Sequence, residues 1–149
     1  MKQSAGAVYD REKADYMSGY GDIVRIEAEI SGYRKACLRA NIYLDRRLVA
    51  WNDSLQWNNN FLRSLTPECM DGINGRLENT GLLSWMQQYP EPMSAESSAP
   101  GFYPEQWAVT VTFRDGTVFR TTGSRSYPER WREFRDLIEC AIRVPFRLR

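Results

Sequence analysis

Ile23-Val24-Arg25-Ile26-Glu27-Ala28-Glu29-Ile30 alternates apolar and charged residues almost one for one. Val24, Ile26, Ala28 and Ile30 fall on one side and Arg25, Glu27 and Glu29 on the other, the period of a strand with one buried and one wet face. Gly32-Tyr33 turns the chain, and the pattern repeats with Leu38, Ala40, Ile42 and Leu44 inside and Arg39, Asn41 and Tyr43 outside. The two runs predict a β-hairpin. Asp45-Arg46 can turn the chain again into a short third strand, Arg47 to Trp51, after which the Asn-rich stretch to Asn60 is expected to break regular pairing. On the other side of the hairpin, residues 1–20 are polar and glycine-containing and read as a loosely held arm.

Further along, Thr66-Pro67-Glu68 has the chemistry of a helix start. Thr66 can accept from free N–H groups, proline suits the first helical position, and Glu68 favours the positive end of the dipole. Met70, Ile73 and Leu77 line one face of that helix, Gly72 and Gly75 weaken it, and Gly81 is placed to end it; Leu82, Leu83, Trp85 and Met86 follow as an apolar cluster. Residues 89–104 hold four prolines and several serines, a composition for a surface loop. Trp107, Val109, Val111 and Phe113 then alternate with Ala108, Thr110 and Thr112, and Asp115-Gly116 is a strong hairpin signal. A two-residue loop there turns Val118 inward and Phe119 outward; a bulged turn reverses the two. In the closing helix Trp131, Phe134, Leu137, Ile138, Ala141 and Ile142 recur at spacings of three and four. Ser126 and Glu129 read as its capping box, and Pro145 ends it, with Phe146 and Leu148 able to fold back onto the core.

These elements define an α+β fold: an antiparallel sheet of four or five strands with two amphipathic helices on one face, its order suggesting a strand-strand-helix unit used twice. The other face is left to solvent or a partner. At 149 residues, 42% apolar and 26% charged, one domain over 1–149 is the expectation.

Composition limits the chemistry. The chain has no histidine, and its three cysteines, Cys37, Cys69 and Cys140, are far apart in sequence, which predicts no metal site, no cofactor and no His-based nucleophilic catalysis. Such cysteines are expected as small buried apolar residues in a reducing cytoplasm, and no window resembles a membrane span. Net charge is +1, yet residues 114–149 carry nine arginines against five acids. Gly123-Ser124-Arg125-Ser126, ahead of a helix, reads as cap and turn before it reads as an anion site.

The segment Phe113-Arg114-Asp115-Gly116, Thr122-Gly123-Ser124, Tyr127-Pro128, Trp131 and Phe134 resembles the end of small uncharacterised bacterial and mobile-element proteins. The resemblance covers the last third of the chain. It implies the same closing architecture and a bacterial or phage-like origin, and carries no activity with it.

The expected function is therefore non-catalytic protein binding, by occluding or bridging a larger macromolecule, a host nucleoprotein enzyme being one conceivable target of a mobile-element inhibitor. Loop aromatics and arginines are the residue types that anchor interfaces, which nominates Trp57, Phe61, Tyr103, Arg125, Arg130, Arg132 and Arg135 as partner-binding residues. A nucleic-acid-binding domain using the Arg-rich closing helix is the alternative, and an unrecognised enzyme the second.

Overall fold

The computed structural model describes residues 16–32, 36–88, 105–124 and 127–147. Strands β1 (Ile23–Ser31), β2 (Cys37–Tyr43), β3 (Leu48–Asp53) and β4 (Phe61–Ser64) form an antiparallel meander; β5 (Gln106–Phe113) and β6 (Val118–Ser124) form a hairpin. The hairpin joins the meander through β5 and β1, giving one antiparallel six-stranded sheet of order β4-β3-β2-β1-β5-β6. The α+β class stands. The sheet has six strands rather than four or five, and a meander of four against a hairpin of two is not a repeated strand-strand-helix unit.

The central strand explains the core. Ile26 lies between Ile42 and Val111, Ala28 between Ala40 and Val109, and Ile30 between Leu38 and Trp107, all nearly or fully buried. The alternation of the opening hairpin is reproduced residue for residue up to one point. A bulge against β5 between Ile23 and Arg25 places Ile23, not Val24, on the buried side.

Among the described residues four helices accompany the sheet: α1 (Tyr16–Gly21), α2 (Pro67–Leu77), α3 (Leu82–Gln88) and α4 (Trp131–Ile142). α1 occupies the end of the expected arm and is tied to α3 by the Tyr20 hydroxyl, which accepts from the Leu83 N–H at 3.1 Å. Thr66 caps α2, its Oγ1 accepting from the Cys69 N–H at 3.1 Å. α4 buries Phe134, Leu137, Ile138, Ala141 and Ile142 against β2, β3 and α2, and Phe146 folds back beneath it, fully buried.

Two local readings need correction, after Trp51 and at the start of α4, and the open choice at the second hairpin is decided. The stretch after Trp51 continues pairing: β3 runs on to Asp53, and after a 3-10 turn at Trp57–Asn59 the chain returns as β4, so Trp51 and Phe61 belong to strands. The second hairpin closes through residues 114–116, the Gly116 N–H bonding the Phe113 carbonyl at 2.9 Å and the Phe113 N–H the Thr117 carbonyl at 2.8 Å. Gly116 adopts φ 93°, a conformation glycine takes without cost, and the three-residue loop puts Phe119 inward, edge-on to Phe113 at 5.6 Å, with Val118 outward. Finally, α4 begins at Trp131, behind Arg130 with φ 68° and no side-chain cap; Ser126 of the expected capping box lies outside the described residues.

Candidate interaction face

Because strand side chains alternate, every strand that points an apolar residue at the helices points its neighbour the other way. All core residues from the helices pack on the side of Ile26, Ala28 and Ile30. On the opposite side, Leu62, Ala50, Asn41, Glu27, Thr110 and Arg120 lie side by side across all six strands. A second row runs Ser64, Leu48, Tyr43, Arg25, Thr112 and Val118.

The centre of this open face is a polar network. Arg25 donates to Asn41 Oδ1 through Nη2 at 2.8 Å and Nε at 3.3 Å, and its guanidinium lies over the Tyr43 ring at 4.9 Å. It also stands 3.7 Å from Glu27, while Arg39 reaches Glu27 at 3.7 Å and Glu29 at 3.5 Å. Asn41 is thereby only 7% exposed. At the margin of the network the Cys37 thiol donates to Glu29 at 3.3 Å. Burial foremost, then the hydrogen bond to Glu29 and its charge, pushes that thiol up to about 11, with Arg39 pulling the other way.

Each edge of the face exposes one large apolar side chain, beside Ser64 on β4 and Arg120 on β6. Leu62 on β4 is 67% exposed and Val118 on β6 is 55% exposed. Between network and edges lie small or uncharged residues, Ala50 and Leu48 on one flank, Ala108, Thr110 and Thr112 on the other.

The residues nominated from sequence do not gather. Phe61 is half-buried on the helix side of the edge strand, under the Arg63 guanidinium at 3.9 Å, and Arg63 in turn donates to the Ile142 carbonyl at the end of α4. Arg130 stands at the opposite end of α4, where it donates to the Asn79 carbonyl at 2.8 Å and joins α4 to the segment after α2. Arg132 is exposed; Arg135 is half-buried, its Nε 4.0 Å from Glu139, whose carboxylate also accepts the Phe146 N–H at 2.7 Å. Glu133, Asp136 and Glu139 interleave with these arginines, so the described α4 carries no excess of positive charge. Trp57 opens the 3-10 turn, its side chain outside the description, and Tyr103 and Arg125 lie outside the described residues.

Aromatic rings also concentrate on the helix side, where they pack. Trp131 lies 4.5 Å from Tyr127, 5.8 Å from Trp107, 6.0 Å from Trp85 and 5.4 Å from Phe134. The Trp85 indole donates to the Glu129 carbonyl at 3.2 Å, and the Tyr127 hydroxyl donates to Glu105; burial foremost, then this acceptor and its charge, raises the phenol above its usual range. Opposite Trp107 sits Gly123, where a Cβ would come within 2.5 Å of the indole. The sheet can pass Trp107 across to β6 only with glycine there.

Neither Leu62 nor Val118 is among the residues nominated from sequence. Leu62 belongs to a strand too short to show a period, and Val118 turns outward only because the hairpin loop has three residues rather than two. Among the described residues no three His, Cys, Asp or Glu side chains form a group able to hold a metal ion, and no helix is long and apolar enough to cross a membrane. No protein-family model, curated protein or solved structure matches the chain significantly.

Proposed function

We propose that the chain is a non-catalytic binding module that docks a protein partner on the open face of its sheet and acts by occluding or bridging that larger macromolecule. One observation carries the reading. Of the three large apolar side chains left exposed among the described residues, Leu62 and Val118 stand on this face, at its two opposite edges, with small or polar side chains between them, while Leu55 lies in the turn after β3. Exposed apolar side chains supply anchors for a protein interface, and hydrogen-bonding groups beside them supply its polar contacts. The arginines at the centre are already paired with Glu27 and Glu29, which leaves little charge for phosphates and favours a protein over a nucleic acid.

The test is affinity capture from the native host with three proteins: the parent, a Leu62→Asp/Val118→Asp variant and an Arg132→Glu variant. The double variant should fold normally and weaken the stoichiometric partner by about tenfold or more, a loss of ~1.4 kcal/mol per decade, while Arg132→Glu binds like the parent. Loss of the partner with Arg132→Glu and not with the double variant would move the site to α4. Retention of DNA or RNA that fades steeply with salt would replace the protein reading by a nucleic-acid one.

A further inference from the structure

Cys69, in the first turn of α2, and Cys140, in the last turn of α4, are separated by 71 positions, yet their sulfurs stand 3.8 Å apart. The Cys69 thiol also points at the Cys140 carbonyl oxygen, 3.4 Å away. The helix crossing keeps the pair together. One turn along α2, Gly72 faces the same sulfur, and a Cβ there would sit 3.7 Å from Cys140 Sγ. Glycine at this point leaves the Cys140 side chain space to turn. The third thiol, Cys37, is on the opposite face of the sheet beside Glu29 and cannot intrude.

A separation of 3.8 Å is a contact between two unbonded thiols, and a disulfide requires about 2.05 Å. The remaining approach is for side-chain rotation to supply, on two helices already packed together. We infer that Cys69 and Cys140 are a reversible redox-modification site, a dithiol that closes to a disulfide by exchange with a small-molecule disulfide and so staples α2 to α4.

The chemistry runs through the more accessible sulfur. Half-buried Cys140 gives its proton to solvent, and its thiolate attacks one sulfur of the small disulfide; the mixed disulfide forms and one small thiolate leaves and is protonated. Cys69 then loses its proton and attacks the Cys140 sulfur, expelling the second small thiol. Two protein thiols have been oxidised by two electrons, and one small disulfide has been reduced to two thiols. Burial holds the Cys69 thiol above its ordinary range, followed by its hydrogen bond to Cys140 and that group's charge; Arg143 and Arg76 act against them. Capping Cys140 in the mixed disulfide removes both of its contributions; burial still opposes the Cys69 thiolate, and Arg143 and Arg76 act against that burial when it must attack.

The experiment equilibrates the full chain in buffers graded from reduced to oxidised glutathione, denatures it in alkylating reagent and counts free thiols by mass. The oxidised protein should be monomeric, with Cys37 alone alkylated, and should melt several degrees higher than the reduced form because the cross-link constrains the unfolded chain. Reductant should reverse both changes. Cys140→Ser should show neither, and the parent's thiol count keeps the test independent of whether that variant folds well. Three alkylated cysteines in the most oxidising buffer, a glutathione adduct persisting on Cys140 beside free Cys69, or a link between chains would each overturn the inference.

Discussion

The two faces of the sheet are written in alternate letters of the same strands, and they are held by different forces. On the covered face, Ile26, Ile42, Val49, Val109 and Val111 lose all contact with water in the core shared with the helices. Burial of such a side chain stabilises by roughly 1.5–3 kcal/mol. On the open face, Arg25, Glu27, Glu29 and Arg39 are tied by ion pairs of 3.5–3.7 Å between partly exposed groups, interactions worth about 0–1 kcal/mol each. One face makes the fold stable; the other costs little to change and is free to carry recognition.

The strongest way to break this contrast is at Phe134, fully buried between Trp85 at 5.2 Å and Trp131 at 5.4 Å. Phe134→Ala should destabilise by about 3–5 kcal/mol, much of what typically holds such a domain together, whereas exposed Arg132→Ala should stay within about 0.5 kcal/mol. Thermal melting of both variants checks this. A Phe134→Ala protein melting like the parent would mean that the α4 stripe is not the core.

How far the sequence foretold this division depends on where each signal resides. The β1–β2 hairpin, the Thr66 cap and the α4 stripe were readable because their causes are local: period two, a hydroxyl three residues from the N–H it accepts from, period three to four. β4 was hidden because Arg63, a charged residue on the helix side, finds its partners in the Phe61 ring and the Ile142 carbonyl, the latter 79 positions away. α4 starts where the left-handed Arg130 is held by the Asn79 carbonyl, another contact no local pattern announces. The candidate face suffered most. Its exposed anchors depend on one short strand and one turn geometry, and the aromatics nominated in their place include Phe61, which lies on the helix side beneath Arg63.

A smaller effect is expected at Asn41, which sharpens the comparison because it is a buried residue on the open face. Its Oδ1 collects both Arg25 bonds, so Asn41→Ala frees the guanidinium to water and should cost about 1 kcal/mol, a typical net hydrogen-bond contribution. Denaturant unfolding should show a shifted midpoint with an unchanged slope. A loss as large as that of Phe134→Ala would show that the polar centre, and not only the apolar side, holds the sheet.

The smallest stability change, and the most local readout, belongs to Glu29. Its carboxylate accepts from the Cys37 thiol and pairs with Arg39, on a face where water can replace either contact. Folding raises this thiol from the ordinary 9.0 to about 11, so the folded protein binds the proton more tightly than the unfolded chain. The resulting stabilisation is complete below about pH 9 and fades as pH rises through about 11. Glu29→Gln removes the negative charge that opposes the thiolate while leaving burial in place, so the thiol should move down toward its ordinary value without returning fully to it. Alkylation of native Cys37, followed by mass at fixed pH between 8 and 9, should then be faster in Glu29→Gln than in the parent, with the melting temperature nearly unchanged. Equal alkylation rates would mean that burial alone holds the thiol protonated and that the Glu29 contact contributes nothing to it.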